Sequence, residues 1–338
     1  MPFRKKMDTK IAIDAMINGN FVLVFDFYST GLLVLKALKQ YLDKQHKQNT
    51  FSQQRDYRSE YNTLSNRLLV SISNNQLKVK KSPEIGWFKE LYSDLTDYLL
   101  PFPKVQGLNS AWQWYTKGIN IPGLNKSIHP FYDTYFPTRF EHLDLFNDWL
   151  ENATISKKMA FDIGVGSGVL TFQLLQHRFE KVIATDTNPN AIIGMEKAMS
   201  AAKMDTSLVD LHYGNLFANC NNIADLIVFN PPWVPINHDI KGIDKAIYYD
   251  KHLFPEFFKE ASKRLSKNGR LVLIFSNLAE VTKVTTQNPI ELELLTNSRF
   301  EKDQLLTRSV SKASNNTKRN QNWRKDELVQ LWVLKLKS

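Results

Sequence analysis

Short apolar segments alternate with amphipathic ones through the second half of the chain, and this rhythm constrains the fold more than any other feature. The apolar segments have the length of buried strands, and helical patterns separate most of them. Strands that alternate with helices predict a parallel sheet covered on both faces. The predicted strands are Met159–Ile163, Lys181–Asp186, Ser207–Tyr213, Asp225–Phe229 and Arg270–Phe275.

The last part of the chain adds two predicted strands to this sheet, and a segment before the sheet separates it from the first part of the chain. Phe300–Ser311 and Glu327–Lys337 are predicted to pair as an antiparallel hairpin at one side of the sheet. Residues 101–130 are rich in Pro, Gly and Asn, which is typical of a linker. We therefore predict an α/β accessory domain over residues 1–129, a possible substrate-recognition domain, followed by the larger sheet domain over residues 130–338.

The first part has mixed α/β character. Leu68–Ser73 and Gln76–Lys80 flank Asn74-Asn75, a combination that predicts a hairpin. Residues 44–63 are polar and rich in Gln, so we expect a solvated connection there. The spacing of apolar residues predicts an amphipathic helix over Trp87–Leu100.

A glycine-rich turn follows the first strand of the larger domain. In Asp162-Ile163-Gly164-Val165-Gly166-Ser167-Gly168 the glycines permit close approach of the backbone to a ligand. Val169 stands where a dinucleotide fingerprint has its third glycine, which disfavours a dehydrogenase. Asp162 would repel a pyrophosphate and attract a cationic ligand. S-Adenosylmethionine suits this turn, because it carries an ammonium and a sulfonium but no phosphate, and Asp186 would accept its two ribose hydroxyls.

The segment Asn230-Pro231-Pro232-Trp233 follows the strand that ends at Phe229. Two consecutive prolines stiffen this turn and remove two N–H donors, so the Asn230 side-chain oxygen and the Pro231 carbonyl remain as acceptors. A planar –NH2 group is a poor nucleophile because its lone pair is delocalised. Two acceptors that hold its hydrogens favour a pyramidal nitrogen aimed at a methyl donor. Trp233 would stack on the plane of the base or amide.

These motifs, DIGVGSG, ATDTNP and FNPPW, stand in the order and spacing of class I S-adenosylmethionine-dependent methyltransferases, which the chain resembles over residues 130–338. The Asn-Pro-Pro-aromatic motif is similar to that of the amino-methyltransferase branch, which includes adenine-N6, guanine-N2 and release-factor glutamine methylases. Phe136–Glu141 also resembles the Pro-Arg segment that precedes the first motif of the glutamine enzymes.

The resemblance implies a Rossmann-like sheet and a role for each motif residue. Asn215 and Leu216 would lie near the adenine, although Asn215 is neutral where the family usually has an acid. Asp186 would bind the ribose, and Asn230, Pro231, Pro232 and Trp233 would form the catalytic turn. The residues implied around the methionine moiety are Asp162, Gly164, Gly166 and Gly168.

The distribution of charged residues along the chain indicates the kind of molecule that it binds. Residues 1–140 contain 19 Lys and Arg against 11 Asp and Glu, whereas residues 141–338 contain 25 against 23. This excess favours a polyanionic partner, so we expect methylation of a nucleobase in RNA or DNA, or in a ribosomal substrate. The alternatives are N5-methylation of a protein glutamine in a translation component and a non-catalytic cofactor-binding subunit. Thr307–Lys325, basic and without acids, is either a phosphate-contacting flap or a solvated loop.

Several classes of protein are disfavoured. The single Cys220 rules out an intrachain disulfide and a cysteine-based zinc site, and we expect no metal. No apolar stretch reaches the 18 residues of a membrane span. We therefore expect a cytoplasmic enzyme with no membrane partner.

Overall fold

The computed structural model describes residues 1–46, 51–236, 248–311 and 325–337. The chain divides between Thr116 and Lys117 into two compact units, here called unit 1 and unit 2. The sequence places the division later, after residue 129, within the segment rich in Pro, Gly and Asn. The basic segment Thr307–Lys325 lies mostly outside the described residues, since 312–324 are not among them.

Unit 1 contains a five-stranded mixed sheet in which β1, β2 and β3 run parallel and β4 and β5 run antiparallel to β3. The predicted hairpin is present, since Asn74 and Asn75 both have positive φ, as a type I′ turn requires. The elements are β1 (Pro2–Phe3), α1 (Thr9–Ile17), β2 (Val22–Val24), α2 (Tyr28–Gln45), α3 (Phe51–Ser65), β3 (Leu68–Ser73), β4 (Gln76–Leu77), α4 (Trp87–Leu91), β5 (Asp97–Pro101) and α5 (Phe102–Lys117).

Three sequence predictions for unit 1 are wrong. The polar connection over residues 44–63 is largely helix α3, which buries Tyr57 and Leu64 on one face despite its polar composition. The helix predicted over Trp87–Leu100 ends at Leu91, and its last residues belong to strand β5. The predicted linker begins as helix α5, because Pro103 lies in the first turn, where a helix needs no backbone donor.

Unit 2 is built on a seven-stranded sheet of order β10-β9-β8-β11-β14-β16-β15. The first five strands are parallel, and β16 runs antiparallel to both β14 and β15, which confirms the predicted sheet and its C-terminal hairpin. The large elements are α6 (Glu141–Asn152), β8 (Met159–Ile163), α7 (Val169–Gln176), β9 (Lys181–Asp186), α8 (Pro189–Ala201), β10 (Val209–Tyr213), β11 (Ala224–Phe229), α9 (Leu253–Arg264), β14 (Leu265–Ser276), α11 (Pro289–Thr296), β15 (Phe300–Ser309) and β16 (Leu328–Leu336).

The remaining elements of unit 2 are short. Their bounds are β6 (Ile119–Asn120), β7 (Ser127–Ile128), β12 (Val234–Pro235), β13 (Tyr248–Tyr249) and α10 (Leu278–Val281). Of these, β12 and β13 pair in parallel directly after the Asn-Pro-Pro-Trp turn.

The two faces of the sheet form two cores. Along β8, Ala160 packs in one core while Phe161 and Ile163 pack in the other, because successive strand side chains point to opposite faces. Strand order reverses between β8 and β11, since β9 and β10 lie on one side and β14 on the other. Open parallel sheets bind their ligands at such a switch point, beside the carboxyl ends of the strands.

Candidate active site

A cavity of about 910 Å³ opens in unit 2 at the carboxyl ends of β8, β9 and β11. This volume is within the range of cofactor and substrate pockets. Of the residues predicted from the sequence, those that line the cavity are Gly164, Gly166, Asp186, Asn215, Leu216, Asn230, Pro231, Pro232 and Trp233. Asp162 and Gly168 are not among the residues that line it.

The glycine turn is pinned to the neighbouring strand and needs its glycines. The backbone N–H groups of Gly164 and Val165 both donate to the carbonyl of Thr185 at 2.9 Å. A Cβ on Gly168, whose φ is +83°, would lie 2.1 Å from Sδ of Met195. A Cβ on Gly166, at φ +52°, would lie 3.3 Å from the carbonyl oxygen of Tyr135. The lack of a side chain at Gly168 therefore allows α7 to begin close to α8. The lack of a side chain at Gly166 allows the Tyr135 carbonyl to lie close to the glycine turn.

Asp162 lies beneath this turn and is fully buried. Its Oδ2 accepts from the Thr171 hydroxyl at 2.6 Å, while its Oδ1 has no partner among the described residues. Burial raises the pKa of Asp162 to about 7. The carboxylate therefore keeps one acceptor, unused by the described residues, beneath the glycine turn, but Asp162 itself does not line the cavity.

Asp186 ends β9 and faces the cavity. Its Oδ2 accepts from the Gly166 N–H at 2.9 Å, and its Oδ1 accepts from the Asn188 N–H at 2.8 Å. Burial raises the pKa of Asp186, and these backbone hydrogen bonds oppose the rise. Each carboxylate oxygen has a second lone pair, so the side chain can also accept from two hydroxyl groups.

Asn215 and Leu216 follow β10 on the same side of the cavity as Asp186. The Gly214 N–H donates to the Asp186 carbonyl at 2.9 Å, which places this turn beside the end of β9. Leu216 has a φ of +46°, and its carbonyl accepts from the Thr185 hydroxyl. This wall of the cavity therefore presents the apolar side chain of Leu216 and the amide side chain of Asn215, which together suit a flat polar ring.

The turn after β11 is held by Trp233. The indole Nε1–H lies 3.1 Å from Asn230 Oδ1 and 3.3 Å from the carbonyl oxygen of Ile274. An indole N–H is a donor only, so the atom it meets on Asn230 must be the oxygen. The rings of His142 and Trp233 pack edge to face, with their centroids 5.6 Å apart, and this contact further restrains the indole. Trp233 therefore orients Asn230 as well as lining the cavity.

A second cavity, of about 90 Å³, adjoins Trp233. It shares Tyr135, Arg139 and Trp233 with the main cavity. His142 lines it with a buried Nε2 that has no hydrogen-bond partner among the described residues, and burial lowers the pKa of His142 to about 4. Arg139 also pairs with the fully buried Glu327, at 2.9 Å between Nη1 and Oε2.

Sequence reasoning missed Tyr135 and His142 as neighbours of the site. Tyr135 lines both cavities, and His142 packs on Trp233. The one available signal was the Pro-Arg segment over 136–141, whose resemblance to the glutamine enzymes placed the flanking residues near the first motif. Tyr248 and Tyr249 also line the main cavity.

Two kinds of feature are absent from the part of the chain that the structure describes. No group of three or more His, Cys, Asp or Glu side chains in these ranges is arranged to hold a metal ion. None of the helices described there is long and apolar enough to cross a membrane. Cys220 is a half-buried free thiol whose pKa is raised by burial.

Comparison with known proteins places this site in a class. Residues 144–301 match the family profile of the methyltransferase small domain. A putative protein N5-glutamine methyltransferase of Methanocaldococcus jannaschii is 27% identical over 167 residues, which cover 47% of this chain and 80% of that protein. The release factor glutamine methyltransferase of Aquifex aeolicus is 30% identical over 127 residues, or 34% of this chain and 45% of that protein.

A solved structure with a similar fold is the ribosomal protein L11 methylase of Lactobacillus delbrueckii subsp. bulgaricus. It is 16% identical, with a TM-score of 0.41 over 64% of this chain and 83% of that one. Unit 2 is a class I S-adenosylmethionine-dependent methyltransferase. Within that class, residues 144–301 are similar to the methyltransferase small domain.

Proposed function

We propose that the enzyme methylates a planar amino nitrogen, and that this nitrogen is the exocyclic amine of a nucleobase in RNA or DNA. One observation carries the proposal. The turn after β11 presents Asn230 and Pro231 to the cavity that Asp186 and the glycine turn also line. Methyl donor and methyl acceptor would therefore meet at the carboxyl end of β11.

The chain's own residues fit S-adenosylmethionine. Gly164 and Gly166 would let its methionine portion lie against the backbone, above the buried Asp162. Asp186 would accept the ribose hydroxyls, and Asn215 and Leu216 would flank the adenine. When bound, the cofactor supplies an electrophilic methyl group on a positively charged sulfur.

The acceptors of the turn would prepare the nucleophile. Asn230 Oδ1 uses one lone pair for the Trp233 indole, and its second remains for a substrate N–H. The Pro231 carbonyl would hold the other hydrogen of the –NH2 group. The nitrogen lone pair is then free to point away from both acceptors, toward the methyl group. No base is required before attack, because the nitrogen becomes cationic on methylation and would then release its extra proton to water.

Charge favours a nucleic acid as the substrate. Residues 1–140 contain 19 basic and 11 acidic residues, and such an excess attracts phosphates. A second candidate is the side-chain amide of a protein glutamine, which is also a planar –NH2 group. The two relatives described above, both named as glutamine methyltransferases, favour it.

Labelled methyl transfer tests the proposal. The purified chain is incubated with methyl-tritiated S-adenosylmethionine and, separately, with RNA, DNA, ribosomes and ribosome-free protein. We expect label in nucleic acid, recovered after digestion as a nucleoside methylated on its exocyclic nitrogen. Label recovered as N5-methylglutamine would establish the second candidate instead. Label on carbon or oxygen would contradict the role of the turn.

A further inference from the structure

Unit 1 concentrates its positive charge in two short segments. Residues 1–116 contain 16 Lys and Arg, and six of them lie within residues 4–6 and 78–81, which contain no acid. Arg4, Lys5, Lys6, Lys80 and Lys81 are all exposed. These five residues are here called the basic cluster.

Asp26 brings the two segments together. Its Oδ2 accepts from the Lys5 N–H at 2.8 Å, and its carbonyl accepts from the Lys80 N–H at 2.7 Å. Its Oδ1 accepts from the Phe27 N–H at 2.8 Å and from the Thr30 hydroxyl at 2.7 Å. The carboxylate is thus committed to backbone and hydroxyl donors and fixes the positions from which the cations project.

The basic cluster is interleaved with aromatic rings. The Arg4 guanidinium lies over Phe25, 4.5 Å from the ring centroid, and the Lys5 ammonium lies 5.9 Å from the centroid of Phe27. Phe25 directly follows β2 and is 51% exposed, a large fraction for a phenylalanine. A solvent-facing ring beside cations is the arrangement on which unpaired bases stack.

In the described part of the chain the five cations of the basic cluster are not engaged in ion pairs. The carboxylate of Asp26, the residue that joins the two segments, is bound to backbone and hydroxyl donors. Helix α2 begins at Tyr28, immediately after this site, and contributes the positive end of its dipole. Both features raise the affinity of this surface for an anionic chain.

We propose that the basic cluster and Phe25 form a binding surface for single-stranded nucleic acid. The cations would contact successive phosphates while Phe25 stacks on an unpaired base. The surface deepens the proposed function, on whose nucleic-acid substrate it rests, by locating where the strand is held. Its existence is measured without S-adenosylmethionine, so failure to bind a strand and failure to methylate one are separate results.

Fluorescence anisotropy of the full chain with a labelled 15-nucleotide RNA tests this surface. Two cations are removed in Arg4→Gln/Lys80→Gln, and the matched control is Lys39→Gln/Lys44→Gln, which removes two exposed cations of α2. Lys39 lies 11 residues beyond Tyr28, about 16 Å along the helix axis from the start of α2. We expect the first variant to bind about tenfold more weakly and its log–log salt slope to shrink by about 1.4, while the control changes less than twofold.

Phe25→Ala separates stacking from charge. We expect about tenfold weaker binding of the single strand with an unchanged salt slope, and little effect on a duplex of the same sequence. Equal losses in both double variants would overturn the proposal, since the effect would then follow net charge alone. Full competition by polyaspartate, together with unchanged binding by Phe25→Ala, would assign the surface to acidic protein partners instead. Circular dichroism confirms that each variant is folded.

Discussion

The indole N–H of Trp233 and the side-chain oxygen of Asn230 lie 3.1 Å apart across two prolines. This hydrogen bond gives Trp233 a structural role in addition to the proposed stacking on a substrate, because it sets which end of the Asn230 amide is the acceptor. The second acceptor of the indole, the Ile274 carbonyl on β14, ties the turn to the neighbouring strand of the sheet.

Trp233→Phe keeps an aromatic plane but removes this donor. We expect kcat to fall about fivefold, the effect of one neutral hydrogen bond of about 1 kcal/mol, with cofactor affinity unchanged. The matched control is Trp332→Phe, which removes an indole N–H that donates to Gln330 rather than to a predicted catalytic residue. Steady-state kinetics measure kcat for both variants. Equal losses of kcat would contradict the proposal that Trp233 orients Asn230.

Asp186→Ala removes the carboxylate that faces the cavity from the end of β9. We expect the cofactor dissociation constant to rise about 100-fold, because the two charge-assisted hydrogen bonds proposed between Asp186 and the ribose would be lost. Asp210→Ala is the control, since Asp210 lies on the adjacent strand, exposed and paired with Lys181 at 2.7 Å. Isothermal titration calorimetry measures both constants. An unchanged affinity for Asp186→Ala would refute the ribose assignment.

Asp162 and His142 give opposite pH dependences of stability. Burial raises the pKa of Asp162 from 3.8 to about 7, so the folded state keeps a proton that the unfolded state has lost. Its contribution to the free energy of unfolding therefore falls as pH rises from about 4 to 7. Burial lowers the pKa of His142 from 6.5 to about 4, so its contribution rises with pH between about 4 and 6.5.

The opposite pH dependences that Asp162 and His142 contribute to the free energy of unfolding largely cancel in the wild type, and substitution of either residue reveals the other. Relative to the wild type, we expect Asp162→Asn to make stability rise more steeply with pH between 4 and 6.5. His142→Phe, which preserves a ring beside Trp233, should make it fall. Each slope is at most about 1.4 kcal/mol per pH unit, the value for one proton. Urea unfolding at a series of pH values measures them, and three parallel profiles would show that neither group titrates as described.

The Arg139–Glu327 pair anchors the wall shared by the two cavities. Among the described residues, Arg139→Ala leaves the side chain of the fully buried Glu327 with Ser276 Oγ, at 3.3 Å, as its remaining partner. We expect a loss of about 3 kcal/mol in the free energy of unfolding, partly recovered in Arg139→Ala/Glu327→Gln. Arg308→Ala breaks the exposed pair with Asp148 and should cost less than about 1 kcal/mol. Denaturant unfolding measures all three, and a double variant no more stable than Arg139→Ala would contradict this account.

The sheet of unit 2 was predictable because its signals are local. Strands β8 and β9 have the predicted bounds, since each is an apolar run that ends at a turn signal: Gly164 after the first, and Asp186 followed by Asn188-Pro189 after the second. The antiparallel hairpin followed from two long runs of strand-forming residues. Helix α3 was missed because the apolar side chains buried in its described part, Tyr57 and Leu64, leave almost no apolar periodicity in the sequence.

The site was predictable only in part, because some contacts join residues far apart in the chain. The alternation of side chains along β8 carries Asp162 toward Thr171 and away from the cavity lining. Tyr135 and the glycine turn are in contact but lie about 30 residues apart in the sequence, so no local sequence pattern predicts their contact. The Trp233–Asn230 hydrogen bond depends on the rotamers of both side chains, which a motif does not specify.

Asn230→Ala tests whether Asn230 holds the amine that receives the methyl group. The measurement is turnover of labelled methyl groups beside cofactor affinity by calorimetry, in the same preparation. We predict that turnover falls about 100-fold or more while the cofactor dissociation constant stays within about twofold, because the side chain acts on the amine and not on the cofactor. Turnover like that of the wild type would contradict the mechanism.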